Sequence, residues 1–178
     1  MNKMSIQVNS IIGNVNKDSM LKARYEEMLK RGLCEFVTIN RIEAERVRMR
    51  KVTDKGTDVI ITLPKGSRLK HGDVIVLQDD KMILVQLEPE DVAMVKIRDN
   101  TSFDDAIAIA VRVGHVIGNL HKPIKIDQKS KSVYFPIQAD TELEMIKKTL
   151  TPIIDHLQIE KVKMVFEMDE GGMHVHEH

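Results

Sequence analysis

The feature that most constrains this chain is a change of period in its second half. Apolar and polar residues alternate from 92 to 98, which is the period of a strand. From 103 to 120 the apolar residues recur every three or four positions, which is the period of a helix. Short apolar runs at 124–127 and 132–137 flank a polar turn, Gln128-Lys129-Ser130-Lys131, and read as strands. Thr141 and Glu144 have the spacing of a capping box and open a helical stretch at 141–157, with a kink expected at Pro152. Val162, Met164, Phe166 and Met168 then alternate with their neighbours as a strand with one buried face. The order βαββαβ predicts a ferredoxin-like unit over 91–168.

The first half is β-rich. Runs of Val, Ile and Leu at 5–8, 34–39, 46–52, 58–63, 73–77 and 81–87 are separated by turn formers such as Asp54-Lys55-Gly56 and Pro64-Lys65-Gly66. The tight spacing predicts antiparallel pairing. A helix is expected at 19–31, with Ser19 as its N-cap and Gly32 just beyond its end. Glu88-Pro89-Glu90-Asp91 suits an exposed connection. The expected organisation is therefore α+β. A small antiparallel β domain (1–88) would be followed by a ferredoxin-like domain (91–168) and a flexible histidine-bearing tail (169–178).

Charge and composition narrow the function. Lys+Arg 27 balance Asp+Glu 27, so the chain lacks the cationic excess that drives binding to nucleic acid or acidic membranes. Trp is absent, and 2 Tyr and 4 Phe give little material for stacking bases. Cys34 is the only cysteine, which excludes an internal disulfide and an intrachain thiolate cluster, and fits a reducing compartment. The apolar stretch 106–120 is broken by Arg112 and His115 and is too short to span a bilayer. A cytoplasmic protein is expected, with no membrane partner. No phosphate-binding loop, zinc-protease motif or serine nucleophile elbow is found, so no catalytic residue is assigned and the chain reads as a non-enzyme.

The 103–120 helix carries two apolar stripes. Phe103, Ile107, Ala110, Gly114 and Ile117 form one, expected to pack on the helix's own sheet. Ala106, Ile109, Val113, Val116 and Leu120 form the other, expected to meet a second subunit. Gly118-Asn119 can end the helix in left-handed conformation, and His121 comes just after. A two-fold axis beside that stripe would bring two copies of His121 together, the beginning of a site for Ni, Cu or Zn. His174, His176 and His178 alternate with Val175 and Glu177, so an extended segment turns all three rings to one side, behind a Gly171-Gly172 hinge. His71, His115 and His156 read as solvated residues in turns or on polar helix faces.

Gly114-His115-Val116-Ile117-Gly118-Asn119-Leu120-His121 resembles the signature of the UreE family, whose core is Gly-Asn-x-His after an apolar helix. Arg46-Val47-Arg48-Met49-Arg50, Leu63-Pro64-Lys65-Gly66 and Leu69-Lys70-His71-Gly72-Asp73 resemble that family's N-terminal domain in order and spacing. The resemblance implies a homodimeric nickel chaperone that delivers Ni²⁺ to apo-urease through an accessory complex with a GTPase, with the N-terminal domain docking partner proteins and the ferredoxin-like domain dimerising and holding the metal. It maps the interfacial metal histidine onto His121 and the tail histidines onto His174, His176 and His178. Zn²⁺ and Cu²⁺ compete for the same donors. Leu120 stands where the family commonly has Arg, and Tyr134-Phe135-Pro136 brings no further histidines. The alternative reading is a nucleic-acid or small-ligand binding module on the same ferredoxin-like fold, since fold does not fix function.

Overall fold

The computed structural model describes residues 5–168. The chain is mixed α+β, as expected, and divides into two compact units between Glu88 and Pro89. Among the described residues no helix is long and apolar enough to cross a membrane.

The first unit contains β1 (Ile6–Val8), β2 (Gly13–Asn14), α1 (Ser19–Lys30), β3 (Cys34–Ile39), α2 (Arg41–Ala44), β4 (Arg48–Val52), β5 (Asp58–Thr62), β6 (Asp73–Leu77) and β7 (Met82–Leu87). These strands make two sheets, ordered β1-β5-β4 and β2-β6-β7-β3. Pairing is antiparallel for β4–β5, β2–β6 and β6–β7, as the tight turns predict. Two further pairs, β1–β5 and β3–β7, run parallel and join segments distant in sequence. Hairpin signals read only neighbouring strands, so they carry no trace of either pair.

The cap of helix α1 falls one residue earlier than expected. The Asp18 carboxylate accepts from the Met20 and Leu21 amides, so Asp18 caps the helix and Ser19 is its first residue. Gly32 lies just past the end at φ 71°, the left-handed conformation that a glycine adopts without a Cβ penalty. Leu21 and Tyr25 pack against a core of Val15, Met28, Cys34, Val74, Met82 and Leu84. The helix therefore covers one face of the second sheet. The buried Glu35 carboxylate of β3 accepts from Thr53 Oγ1 at 2.6 Å and pairs with Lys81 Nζ at 2.9 Å.

The second unit contains β8 (Glu90–Ile97), α3 (Phe103–Asn119), β9 (Lys125–Asp127), β10 (Ser132–Pro136), α4 (Asp140–Thr149), a 3-10 helix (Thr151–His156) and β11 (Leu157–Met164). Its sheet is antiparallel throughout, in the order β11-β8-β10-β9. That is the ferredoxin-like arrangement, with the first and third strands of the unit at the centre. Ala93, Val95 and Phe135 from the sheet meet Ile109, Val113 and Ile117 from α3 and Leu143 and Ile146 from α4.

Three local expectations change. The helix expected at 141–157 stops at Thr149, and Pro152 sits in the first turn of the separate 3-10 helix, where its missing N–H costs nothing. Thr141 and Glu144 form no capping box. The cap is Ala139 without a side-chain bond, while Glu142 Oε2 takes the Gln138 amide and Glu144 pairs with Lys147. The last strand starts at Leu157 and ends at Met164; Phe166 lies beyond it and is still fully buried.

Candidate metal centre

Helix α3 presents the candidate site. Ser102 caps it through the Asp105 amide, and Asp104 and Asp105 place negative charge in the first turn, where the helix dipole favours it. The two apolar stripes are interchanged relative to expectation. Ile109 and Val113 of the second stripe are buried in the unit's own core, joined by Val116 and Leu120. Phe103 and Ile107 of the first stripe are 78% and 51% exposed, with Val111 beside them at 67%. Only Ile117 of that first stripe is buried. Helical phase separates two faces but does not say which of them meets the sheet; the crossover geometry decides that.

The interchange leaves the helix with an apolar face that the unit does not cover. His121 stands at the end of that helix. Leu120 closes the helix, and the His121 amide donates to the Gly118 carbonyl at 3.0 Å. His121 itself has φ 50°, so the left-handed residue is the histidine and not Gly118 or Asn119. For a non-glycine residue that conformation costs about 1–2 kcal/mol. The next two residues hold it in place: Lys122 Nζ lies 2.6 Å from Glu142 Oε1, and Pro123 restricts the chain immediately after. Burial would raise the Glu142 carboxyl, but the hydrogen bonds from Lys122 and the Gln138 amide outweigh it and hold the group below the ordinary glutamate range. The His121 side chain is exposed, on a fixed backbone.

Beside His121 a cavity of about 750 Å³ opens between α3 and the sheet. Ala110, Gly114 and Gly118 form its helix wall, and Ile126 and Val133 lie on the sheet side. A Cβ on Gly114 or Gly118 would meet nothing within 4 Å. The helix is thinned where the cavity lies.

The other histidines fall elsewhere. His115 is exposed, with Nε2 at 3.2 Å from Asn119 Nδ2. His156 is exposed at the end of the 3-10 helix. His71, expected as a solvated turn residue, is half-buried: its Nδ1 accepts from the Leu87 amide at 3.2 Å and its carbonyl accepts from Asn14 and Asn16. It is a bracing residue of the first unit, a role invisible to a turn-signal reading. His174, His176 and His178 lie outside the described residues. Among the described residues no group of three or more His, Cys, Asp or Glu side chains is placed to hold a metal ion.

The basic run of the first unit is partly committed. Arg50 forks onto Asp58 with two hydrogen bonds of 2.9 Å, and Lys51 pairs with Glu43. Arg48 is exposed on β4, the edge of its sheet.

The sequence that folds into these two units is similar to accessory proteins of urease. Residues 8–88 match the family described as UreE urease accessory protein, N-terminal domain. The urease accessory protein UreE of Yersinia bercovieri is 30% identical over 149 residues, covering 81% of this chain and 63% of that protein. UreE of Yersinia intermedia has the same identity and coverage. UreE of Natronomonas pharaonis is 31% identical over 136 residues, covering 76% of this chain and 61% of that protein. The chain belongs to the UreE family. It spans less than two thirds of the length of these relatives.

Proposed function

We propose that this chain is a nickel-binding metallochaperone that delivers Ni²⁺ to apo-urease as its metallocentre is assembled. The observation that carries the reading is His121: an exposed imidazole on a backbone fixed in left-handed conformation, at the end of a helix with an uncovered apolar face. A second copy packing on Phe103, Ile107 and Val111 would gain about 1.5–3 kcal/mol of transfer free energy per side chain before orientational costs. His121 of each protomer would contribute one nitrogen to a shared site near the two-fold axis.

Sparse ligation suits a carrier. An ion held by few protein groups can be exchanged by ligand substitution, and imidazole accepts Ni²⁺, Zn²⁺ and Cu²⁺ alike. His174, His176 and His178 recruit the ion and complete its coordination. The first unit docks an accessory GTPase and the apo-urease complex, through the exposed edge at β4. The protein works in the cytoplasm and catalyses no reaction.

The test is calorimetric titration of Ni²⁺ into the purified dimer. His121→Ala should lose affinity that His71→Ala and His156→Ala retain. Equal affinity in His121→Ala and wild type would remove the shared site.

A further inference from the structure

Strand β4 closes one side of the sheet ordered β1-β5-β4 and pairs only with β5. The Leu63 amide donates to the Val47 carbonyl, and the Thr53 amide donates to the Thr57 carbonyl. These bonds fix the alternation of the antiparallel ladder between them. Met49 and Lys51 bond across to β5, and the N–H and C=O groups of Arg48, Arg50 and Val52 point away from it. Among the described residues no other strand takes them up.

The side chains of the same three residues share one face of the strand. All three residues are exposed, Val52 at 61%. Their charges are not equivalent. The Arg50 guanidinium is forked onto Asp58. The nearby carboxylates of Glu43 and Glu45 are engaged by Lys51 and Arg68. Arg48 makes no ion pair among the described residues. Along β4 the open edge thus offers an uncompensated cation, a neutralised guanidinium and an apolar side chain at alternate positions.

Two occupants fit this edge poorly. Antiparallel pairing of two copies about Arg50 would set Arg50 opposite Arg50, and like charges directly opposite are destabilising. Such charges keep identical edges apart. A nucleic acid would meet no aromatic side chain on this strand and no cationic excess in the chain.

We propose that β4 takes up an extended acidic segment of a partner protein as a further strand of its sheet. Main-chain bonds to Arg48, Arg50 and Val52 supply the docking. The exposed face supplies the choice: a carboxylate opposite Arg48, an uncharged side chain opposite Arg50 and an aliphatic one opposite Val52. In an antiparallel partner the aliphatic residue comes first and the carboxylate four residues later. This docking rests on the reading of β4 as the partner-binding edge, names the chemistry of what binds there, and needs no metal.

The experiment uses the full-length protein, labelled with nitrogen-15, in the presence of chelator. The probe is a synthetic peptide with valine and, four residues later, glutamate, separated by threonines. Amide shifts are expected at Arg48, Arg50 and Val52. Affinity should exceed that of the glutamine counterpart by about two- to fivefold, the range of an exposed ion pair. Arg48→Glu should reverse the order, so that a lysine counterpart binds more tightly than the glutamate peptide. N-methylation at the valine, the central threonine and the glutamate removes the donors facing β4 and should abolish binding. Equal binding of the glutamate, glutamine and lysine peptides at β4 would keep the docking edge and overturn the acidic specificity. Retained binding of the N-methylated peptide would overturn the added strand. Shifts confined to residues outside β4 would overturn the docking edge as well, as would concentration-dependent shifts at β4 without peptide, which put a second copy there. Peptide binding by a protein that takes up no nickel would refute only the carrier role.

Discussion

Lys122 Nζ and Glu142 Oε1 are 2.6 Å apart, and both side chains are only 18% exposed. The pair ties the residue after His121 to the first turn of α4. Rigidity at the candidate metal centre thus comes from a contact between two elements, not from the helix that carries the histidine.

Removing that clamp should loosen the site before it unfolds the unit. Lys122→Met leaves Glu142 with the Gln138 amide alone, a loss of about 1–3 kcal/mol for a charge-assisted bond. Thermal unfolding at neutral pH should show this destabilisation. The sign with pH is fixed by the depressed Glu142 carboxyl. Its contribution is present above the unfolded glutamate pKa and is lost as pH falls through the lower folded value. The gap between wild type and Lys122→Met should therefore close in acid.

His121→Gly separates the imidazole from the backbone it sits on. Glycine adopts φ 50° without the Cβ penalty, so the variant should be as stable as wild type or more stable by roughly 0.5–1 kcal/mol. Nickel affinity should fall at the same time. His121→Ala should lose affinity without that gain. A drop in stability for the glycine variant, read from denaturant midpoints, would contradict the strain assigned to this position.

The uncovered flank of α3 predicts a sensitive dimer. Ile107→Asp places a charge where an aliphatic side chain worth about 1.5–3 kcal/mol would be buried. The dissociation constant from sedimentation equilibrium should rise by at least about tenfold. Ile126→Asp, on the sheet wall of the cavity, should leave that constant nearly unchanged.

In the first unit, Lys81→Met should cost about 1–3 kcal/mol by stranding Glu35, whose side chain is 8% exposed. Burial would raise the Glu35 carboxyl, but bonds from Thr53, Thr57 and Lys81 together hold it below its ordinary range. This stabilisation exists above the unfolded pKa and disappears as pH drops through the folded one. Acid titration monitored by circular dichroism should find the two proteins converging at low pH.

The sequence carries some of these features openly and hides others for identifiable reasons. Alternation and helical period mark most elements but not β2, α2 or the 3-10 helix, and their order in the second unit is enough for its ferredoxin-like sheet. Gly-Asn-x-His carries the resemblance to the family and singles out His121. The interchange of the α3 stripes is hidden because Phe103 and Ile109 are equally apolar, and only the packing of the helix on its sheet distinguishes them. Propensity assigns the left-handed position to glycine or asparagine, whereas the clamp at Lys122 imposes it on histidine. The bracing role of His71 is silent because its partner, the Leu87 amide, is far along the chain. Glu35 and Lys81 are equally silent, since a buried ion pair leaves no periodic trace.

The parallel pair β3–β7 has a consequence for biosynthesis. Among the described residues, Cys34–Ile39 has β7 as its sole neighbour in the sheet, paired from Cys34 opposite Met82 to Ile39 opposite Leu87. While the ribosome is still translating the intervening residues, this apolar strand has nothing to zip onto. Its open hydrogen-bonding edge is then a hazard for the nascent chain. The neighbouring α1, complete before β3 emerges, is the element at hand to shelter it during that interval.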